Sequence, residues 1–354
     1  MQGRKQDLHF FLKNSLKQET MKKEKSINIY AYGKINLSLD VLGTTDDGFH
    51  EVEMVMQGIW LHDDVHIRWR ADEQPGNNTR EARNKANNRD NDQNEKAAND
   101  RITLKSNLPY VPNDERNIAY KAAQLMMETF PEHSGSVRID IKKRIPVAAG
   151  LAGGSGNGAA VVMGLAKLWG LDISLNGLME LGAKLGSDVP FSMMLQAACN
   201  GVLGHKDDEM AVTCALAKGR GTELEPAVPL KSDLVLIKPA LSVSTAEVYK
   251  GIDDCEITER PDNRQLLRAI REGDSKMLRK NMINVLENYT LHRYSRVNDL
   301  KNCTKSSTTD DEMVLMTGSG PTLFVLCENR NRAEQLAEQV REKGRQVIVT
   351  RTLI

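Results

Sequence analysis

Apolar and polar residues alternate from Ile27 to Asp40, as Ile-Asn-Ile-Tyr-Ala-Tyr-Gly-Lys-Ile-Asn-Leu-Ser-Leu-Asp. That is the period of a half-buried strand. Thr44-Thr45-Asp46-Asp47-Gly48 is a turn cluster. The alternation returns at Val52, Met54 and Met56, then at Val65, Ile67 and Trp69, which predicts further strands. Residues 72–100 break the pattern: they are Asn-rich and charged, with almost no core-forming side chain. Such a segment buries too little apolar surface to offset its ordering entropy, so a disordered insertion is expected, followed by a strand from about Ile102. Downstream, helical periodicity predicts helices over 117–129, 158–168, 175–185, 245–251, 265–291 and 332–343. Strands are expected over 137–141, 234–238, within 314–326 and over 346–352. Hairpin strands cluster towards the N-terminus while helices and strands alternate elsewhere, which favours an α+β fold over a doubly wound sheet.

Length and charge narrow this picture. A chain of 354 residues is long enough for two domains. Lys+Arg and Asp+Glu both number 48, so no global field draws the protein to nucleic acid or an anionic membrane. No apolar run approaches the length of a membrane span. The five cysteines (199, 214, 255, 303 and 327) show neither zinc-ligand spacing nor a disulfide framework, and read as free thiols of a reducing cytoplasm. Residues 1–25 read as a tail, with Met21 a second candidate start.

The candidate chemistry centres on Ile145-Pro-Val-Ala-Ala-Gly-Leu-Ala-Gly-Gly-Ser-Gly-Asn-Gly-Ala-Ala160. Glycines 150, 153, 154, 156 and 158 precede or open an apolar helix. Such a loop can turn successive N–H groups towards an anion, and the helix N-terminus adds about half a positive charge. The loop lacks the terminal Gly-Lys-Ser/Thr of a Walker A motif and the spacing of a dinucleotide fingerprint.

Pro-x-x-x-Gly-Leu-x-Gly-Gly-Ser at 146–155 resembles the second motif of the galactokinase–homoserine kinase–mevalonate kinase–phosphomevalonate kinase (GHMP) superfamily. Gly186-Ser187-Asp188-Val189-Pro190-Phe191, Gly33-Lys34-Ile35-Asn36-Leu37, Asp47-Gly48-Phe49-His50 and Met316-Thr317-Gly318-Ser319-Gly320-Pro321 resemble further motifs of its cytidine-recognising branch. The resemblance covers roughly residues 27–70 and 101–354. It implies a ribosomal-protein-S5-like N-terminal domain and a ferredoxin-like C-terminal domain. The expected division is a tail (1–25), an N-terminal domain (26–190) and a C-terminal domain (191–354).

The resemblance also implies site roles. ATP would lie on Pro146, Val147, Ala148, Ala149, Gly150, Leu151, Ala152, Gly153, Gly154, Ser155 and Gly156, with Asn117 near the adenine and Ser155 on the Mg²⁺ side. Asp188 would accept the proton of the substrate hydroxyl, and Lys34 would stabilise the carboxylate and the transferring phosphoryl group. Asn36, Phe49, His50, Thr245 and Tyr249 would hold a small-molecule cytidine diphosphate derivative. The implied reaction is phosphorylation of a methylerythritol C2 hydroxyl in bacterial isoprenoid synthesis. Ala152, Gly156 and Gly158 depart from the usual Gly, Ser and Ala. A sister kinase for mevalonate, homoserine or a sugar, and a member that binds ligands without turnover, stay open.

Overall fold

The strongest alternation in the chain builds its longest hairpin in the computed structural model, which describes residues 24–46, 48–72, 101–133 and 135–354. β1 (Glu24–Thr44) and β2 (His50–Ala71) pair antiparallel from Glu24↔Arg70 to Thr44↔His50. The expected tail lies outside the described residues except for Glu24 and Lys25, which open β1. The expected insertion lies outside them except for Asp72, and Asp47 of the turn is also outside. Register shifts at Tyr32/Gly33 and Asn36/Ser38 bracket Lys34 and re-aim its stretch of the strand.

The N-terminal sheet runs from β3 (Ile102–Ser106) through β4 (Gly135–Lys142), β2 and β5 (Cys214–Lys218) to β6 (Glu223–Pro226), with β1 on the remaining side of β2. β3 (Ile102–Ser106) and β4 (Gly135–Lys142) are parallel and joined through α1 (Ile118–Thr129), since parallel neighbours need a crossover. α2 (Gly153–Trp169), α3 (Leu175–Ala183) and α4 (Asp188–Cys199) complete this half. α2 packs against α1, α4 and both long strands, which is why its sequence shows no polar face.

The second sheet has the order β10-β7-β9-β8 with antiparallel neighbours throughout. Its strands are β7 (Asp233–Pro239), β8 (Val314–Met316), β9 (Leu323–Cys327) and β10 (Arg345–Arg351). α5 (Thr245–Ile252) follows β7, and α10 (Arg330–Val340) joins β9 to β10. This β-α-β-β-α-β order is the expected ferredoxin-like arrangement. Between α5 and β8 the single helical stretch expected over 265–291 is divided into α6 (Asn263–Glu272), α7 (Ser275–Asn281) and α8 (Glu287–Arg293), before α9 (Ser295–Lys305). Gly273 ends α6 in the left-handed region, and Asp274 then caps α7 through Met277 N.

β5 (Cys214–Lys218) and β6 (Glu223–Pro226) pair in the first sheet, so the expected division at residue 190 falls inside α4 and separates two strands from their partners. We place it between β6 and β7. The halves are stitched by backbone bonds from Leu39 N to Ile283 O and Val285 N to Leu39 O, both 2.9 Å, and from Leu353 N to Gly58 O. Ile35, Leu37, Val55 and Ile59 form one apolar cluster with Leu236 and Phe324 of the second sheet. The middle of β1 is therefore buried on both faces, not one.

Candidate active site

The Gly-rich loop begins from a buried anchor. Asp63 of β2 is fully buried and accepts from Arg144 N at 2.7 Å, Ile145 N at 2.9 Å and Asn157 Nδ2 at 2.9 Å. Lys143 pairs with the same carboxylate and donates to Asn157 Oδ1. This network ties the approach to the loop to α2. On the other side, Thr317 Oγ1 donates to Gly150 O at 3.3 Å. Gly150 has φ +70°, and a Cβ there would collide with Thr317 O, so only glycine fits between loop and turn.

The N-terminus of α2 has no side-chain cap. Asn117, Ser174 and Ser244 cap their helices with side-chain oxygens. At α2 the cap position is Ala152, at φ 55°, with no side-chain acceptor. The first helical bond runs from Gly156 N to Ala152 O, so the amides of Gly153, Gly154 and Ser155 have no partner within the helix. All three residues line the cleft, which makes this end an anion cradle. Among the described residues the non-glycine positions with positive φ are Ala148 and Ala152, both in this loop. A left-handed alanine costs about 1–2 kcal/mol, a strain that gathers where ligands are clamped.

The cleft, about 1060 Å³, runs past this cradle to α5. Two of its lining residues pair: Lys34 Nζ lies 3.5 Å from Oδ1 of Asp188, the first residue of α4. Lys34 is almost wholly buried, and its ammonium also donates to Asn36 Oδ1 at 2.9 Å. Burial of a cation is tolerated only where such partners are fixed. Phe49, His50, Thr245 and Tyr249 line the same cleft. Phe49 is 55% exposed, with the Arg220 guanidinium 4.0 Å from its ring centroid. Thr245 Oγ1 is 2.9 Å from Ser319 Oγ. His50 Nε2 is 2.8 Å from Asp253 Oδ1, and the Tyr249 ring lies 5.2 Å from that of His50. Burial, with a smaller contribution from the Asp188 charge, pushes the Tyr249 phenol well above the ordinary tyrosine value.

Lys34 and Asp188, residues 146–155, Asn117, Phe49, His50, Thr245 and Tyr249 thus meet on one cleft. Two expected site residues do not line it. Asn36 is fully buried; its amide oxygen holds Lys34 and its N–H donates to Thr317 Oγ1 at 3.1 Å. Gly156 faces β1, where a Cβ would lie 3.1 Å from Tyr32 O. Asn117 lines the cleft while its side chain caps α1 through Ala119 N. Sequence reasoning did not single out Asp63, Lys143, Thr317 by role, Arg220 or Asp253. Arg220 sits between the two glycines of Lys218-Gly-Arg-Gly221, and Asp253 is four residues beyond Tyr249; both were findable.

Residues 117–196 match the GHMP kinases N terminal domain and residues 266–346 the GHMP kinases C terminal domain. The chain belongs to the GHMP kinase family. Within that family it is similar to the 4-diphosphocytidyl-2-C-methyl-D-erythritol kinase of Clostridium botulinum (strain Eklund 17B / Type B), at 38% identity over 92% of this chain and 100% of the relative. The enzyme of the same name from Acetivibrio thermocellus is 39% identical over 93% of this chain and 99% of its own. A crystal structure of 4-(cytidine 5'-diphospho)-2C-methyl-D-erythritol kinase superimposes with a TM-score of 0.66 at 26% identity, covering 92% of this chain and 99% of that one. A homoserine kinase from Cytophaga hutchinsonii shares the fold at a TM-score of 0.60 and 14% identity. Among the described residues no helix is long and apolar enough to cross a membrane.

Proposed function

We propose that this chain transfers the γ-phosphoryl group of ATP to the C2 hydroxyl of 4-diphosphocytidyl-2-C-methyl-D-erythritol, giving the 2-phosphate, in the bacterial cytoplasm. The observation that carries the reading is the convergence of Lys34, Asp188 and the uncapped start of α2 on one cleft that Phe49, His50 and Tyr249 also line.

The nucleotide phosphates sit against the amides of Gly153, Gly154 and Ser155, with the base towards Asn117. The cytidine moiety lies at the aromatic end, where the exposed face of Phe49 stacks on the base. Asp188 accepts the hydroxyl proton as oxygen attacks phosphorus. Lys34, held by Asn36, offsets the charge that gathers between nucleophile and phosphoryl group. Asn36 acts through Lys34 and does not touch substrate.

Mg²⁺ draws most of its ligands from phosphates and water, adding only one or two protein oxygens. The Ser155 hydroxyl and the Asp188 carboxylate on this cleft fit that requirement, and the absence of a three-acid cluster among the described residues does not oppose it. When bound, the ion would neutralise charge on the phosphates.

A coupled ADP-release assay with diphosphocytidyl-methylerythritol, mevalonate and homoserine tests the reading. Turnover is expected with the first alone. Turnover confined to mevalonate or homoserine, or ATP binding with no turnover of any, would overturn it.

A further inference from the structure

Thr245, Tyr249 and Asp253 recur at four-residue intervals, so they form one stripe along α5 and its C-cap, and all three line the cleft. The last faces His50. Asp253 Oδ1 and His50 Nε2 are 2.8 Å apart, and the His50 side chain is only 12% exposed. The ring is held on another side by Tyr249. Its Nδ1 makes no hydrogen bond among the described residues.

We infer that Asp253 is a positioning residue for base recognition: it fixes the tautomer of His50 and thereby decides which pyrimidine the pocket accepts. The inference rests on the cytidine reading above and deepens it. A carboxylate can only accept, so it selects the ring form with the proton on Nε2. The other nitrogen, Nδ1, is then an acceptor. An acceptor in a nearly buried site pairs with an exocyclic amine and repels a carbonyl oxygen in the same place. Cytosine carries the amine where uracil carries the carbonyl. The aspartate thus imposes selectivity without touching the base, as a partner behind a ligating histidine orients that histidine.

Asp253 is half exposed at a helix end, so its replacement should leave the fold intact. The test compares CDP and UDP binding by calorimetry in the wild type, Asp253→Asn and Asp253→Glu, with heteronuclear NMR of the imidazole nitrogens. The wild type should hold a single Nε2–H tautomer and bind CDP about tenfold or more tightly than UDP. Asparagine can accept from one tautomer or donate to the other, so Asp253→Asn should show mixed tautomers and a ratio close to one, with the KM for ATP unchanged. Asp253→Glu should regain part of the ratio. An Asp253→Asn protein that keeps one tautomer and the full CDP preference would overturn the inference. A wild type that holds the tautomer yet binds both nucleotides equally would instead remove the cytidine reading, and the imidazole spectrum separates the two failures.

Discussion

Lys34 Nζ lies 3.5 Å from Asp188 Oδ1, joining a buried lysine of β1 to a one-third-exposed aspartate at the start of α4. The exposed partner is the one that can meet a substrate proton; the buried partner supplies charge. Asp188→Asn keeps the shape and removes the base. It should fold and bind ATP, while kcat falls by about 10²–10⁴-fold. Near-normal turnover in a purified, folded variant would exclude Asp188 as the proton acceptor.

Asn36 offers a separate test of the same pair. Its oxygen holds Lys34 at 2.9 Å from a position closed to the cleft. Asn36→Ala removes the side-chain bonds to Lys34, Thr317 and Met54; it should lose about 1.5–3 kcal/mol of stability, and lower kcat with little change in the KM for either substrate. A rise in substrate KM at constant kcat would show that Asn36 touches substrate after all.

Gly150 and Gly154 should separate folding from nucleotide binding. Alanine at 150 meets Thr317 O and a positive φ, so Gly150→Ala should destabilise the protein and weaken ATP together. At 154 a Cβ would lie 3.6 Å from Ile118 Cδ1, an ordinary contact, in the first turn of α2. Gly154→Ala should leave thermal stability equal or slightly higher, by up to about 1 kcal/mol from helix propensity, while raising the KM for ATP. Unchanged ATP kinetics in Gly154→Ala would remove this turn from the phosphate site.

The glycine at 158 has a steric reason. A Cβ there would lie 2.6 Å from Ile118 Cγ2, where α1 starts against α2. Gly158→Ala should therefore cost about 1–3 kcal/mol by overpacking, despite gaining about 1 kcal/mol of helix propensity. In an Ile118→Ala background the same change should become neutral or stabilising. A double-mutant cycle in denaturant measures the coupling.

Two phenols with raised pKa, buried Tyr32 and partly buried Tyr249, set an alkaline limit. Burial, aided by Cys199 and Tyr30, pushes Tyr32 up to about 12 from 10.0, and Tyr249 is raised further, chiefly by burial and then by Asp188. The folded state thus favours the protonated phenols. Their contribution is fully present below pH 10 and is lost as pH rises through the folded values. Stability should decline above about pH 10, with late phenolate absorbance lost in Tyr32→Phe. Ionisation of all tyrosines in one step at the ordinary value would contradict this.

Much of the site could be read from local chemistry. The loop at 146–155 announces an anion site because glycine spacing and a helix start are properties of adjacent residues. Thr245 and Tyr249 share a face through helical period alone. The ferredoxin-like order came from the family resemblance, and the strands and helices after residue 230 agree with it. Less visible was whatever depends on a partner from elsewhere. Asn36 alternates with Ile35 and Leu37 as a cleft-facing residue should, yet Thr317 and Met54 close over it. Gly156 sits among phosphate-loop glycines but spends its missing side chain on close approach to Tyr32.

The order of apolar and polar residues determined the strands outside 214–226, the helices other than α4 and α9, and the nature of the loop, because each depends on neighbours within a few positions. Only the folded chain decided that β5 and β6 complete the first sheet, that β1 is buried on both faces, and that Asp253 stands behind His50. Those relations join residues far apart in sequence, 203 positions for His50 and Asp253. Period along a chain reports which face is apolar, but not which distant surface covers it.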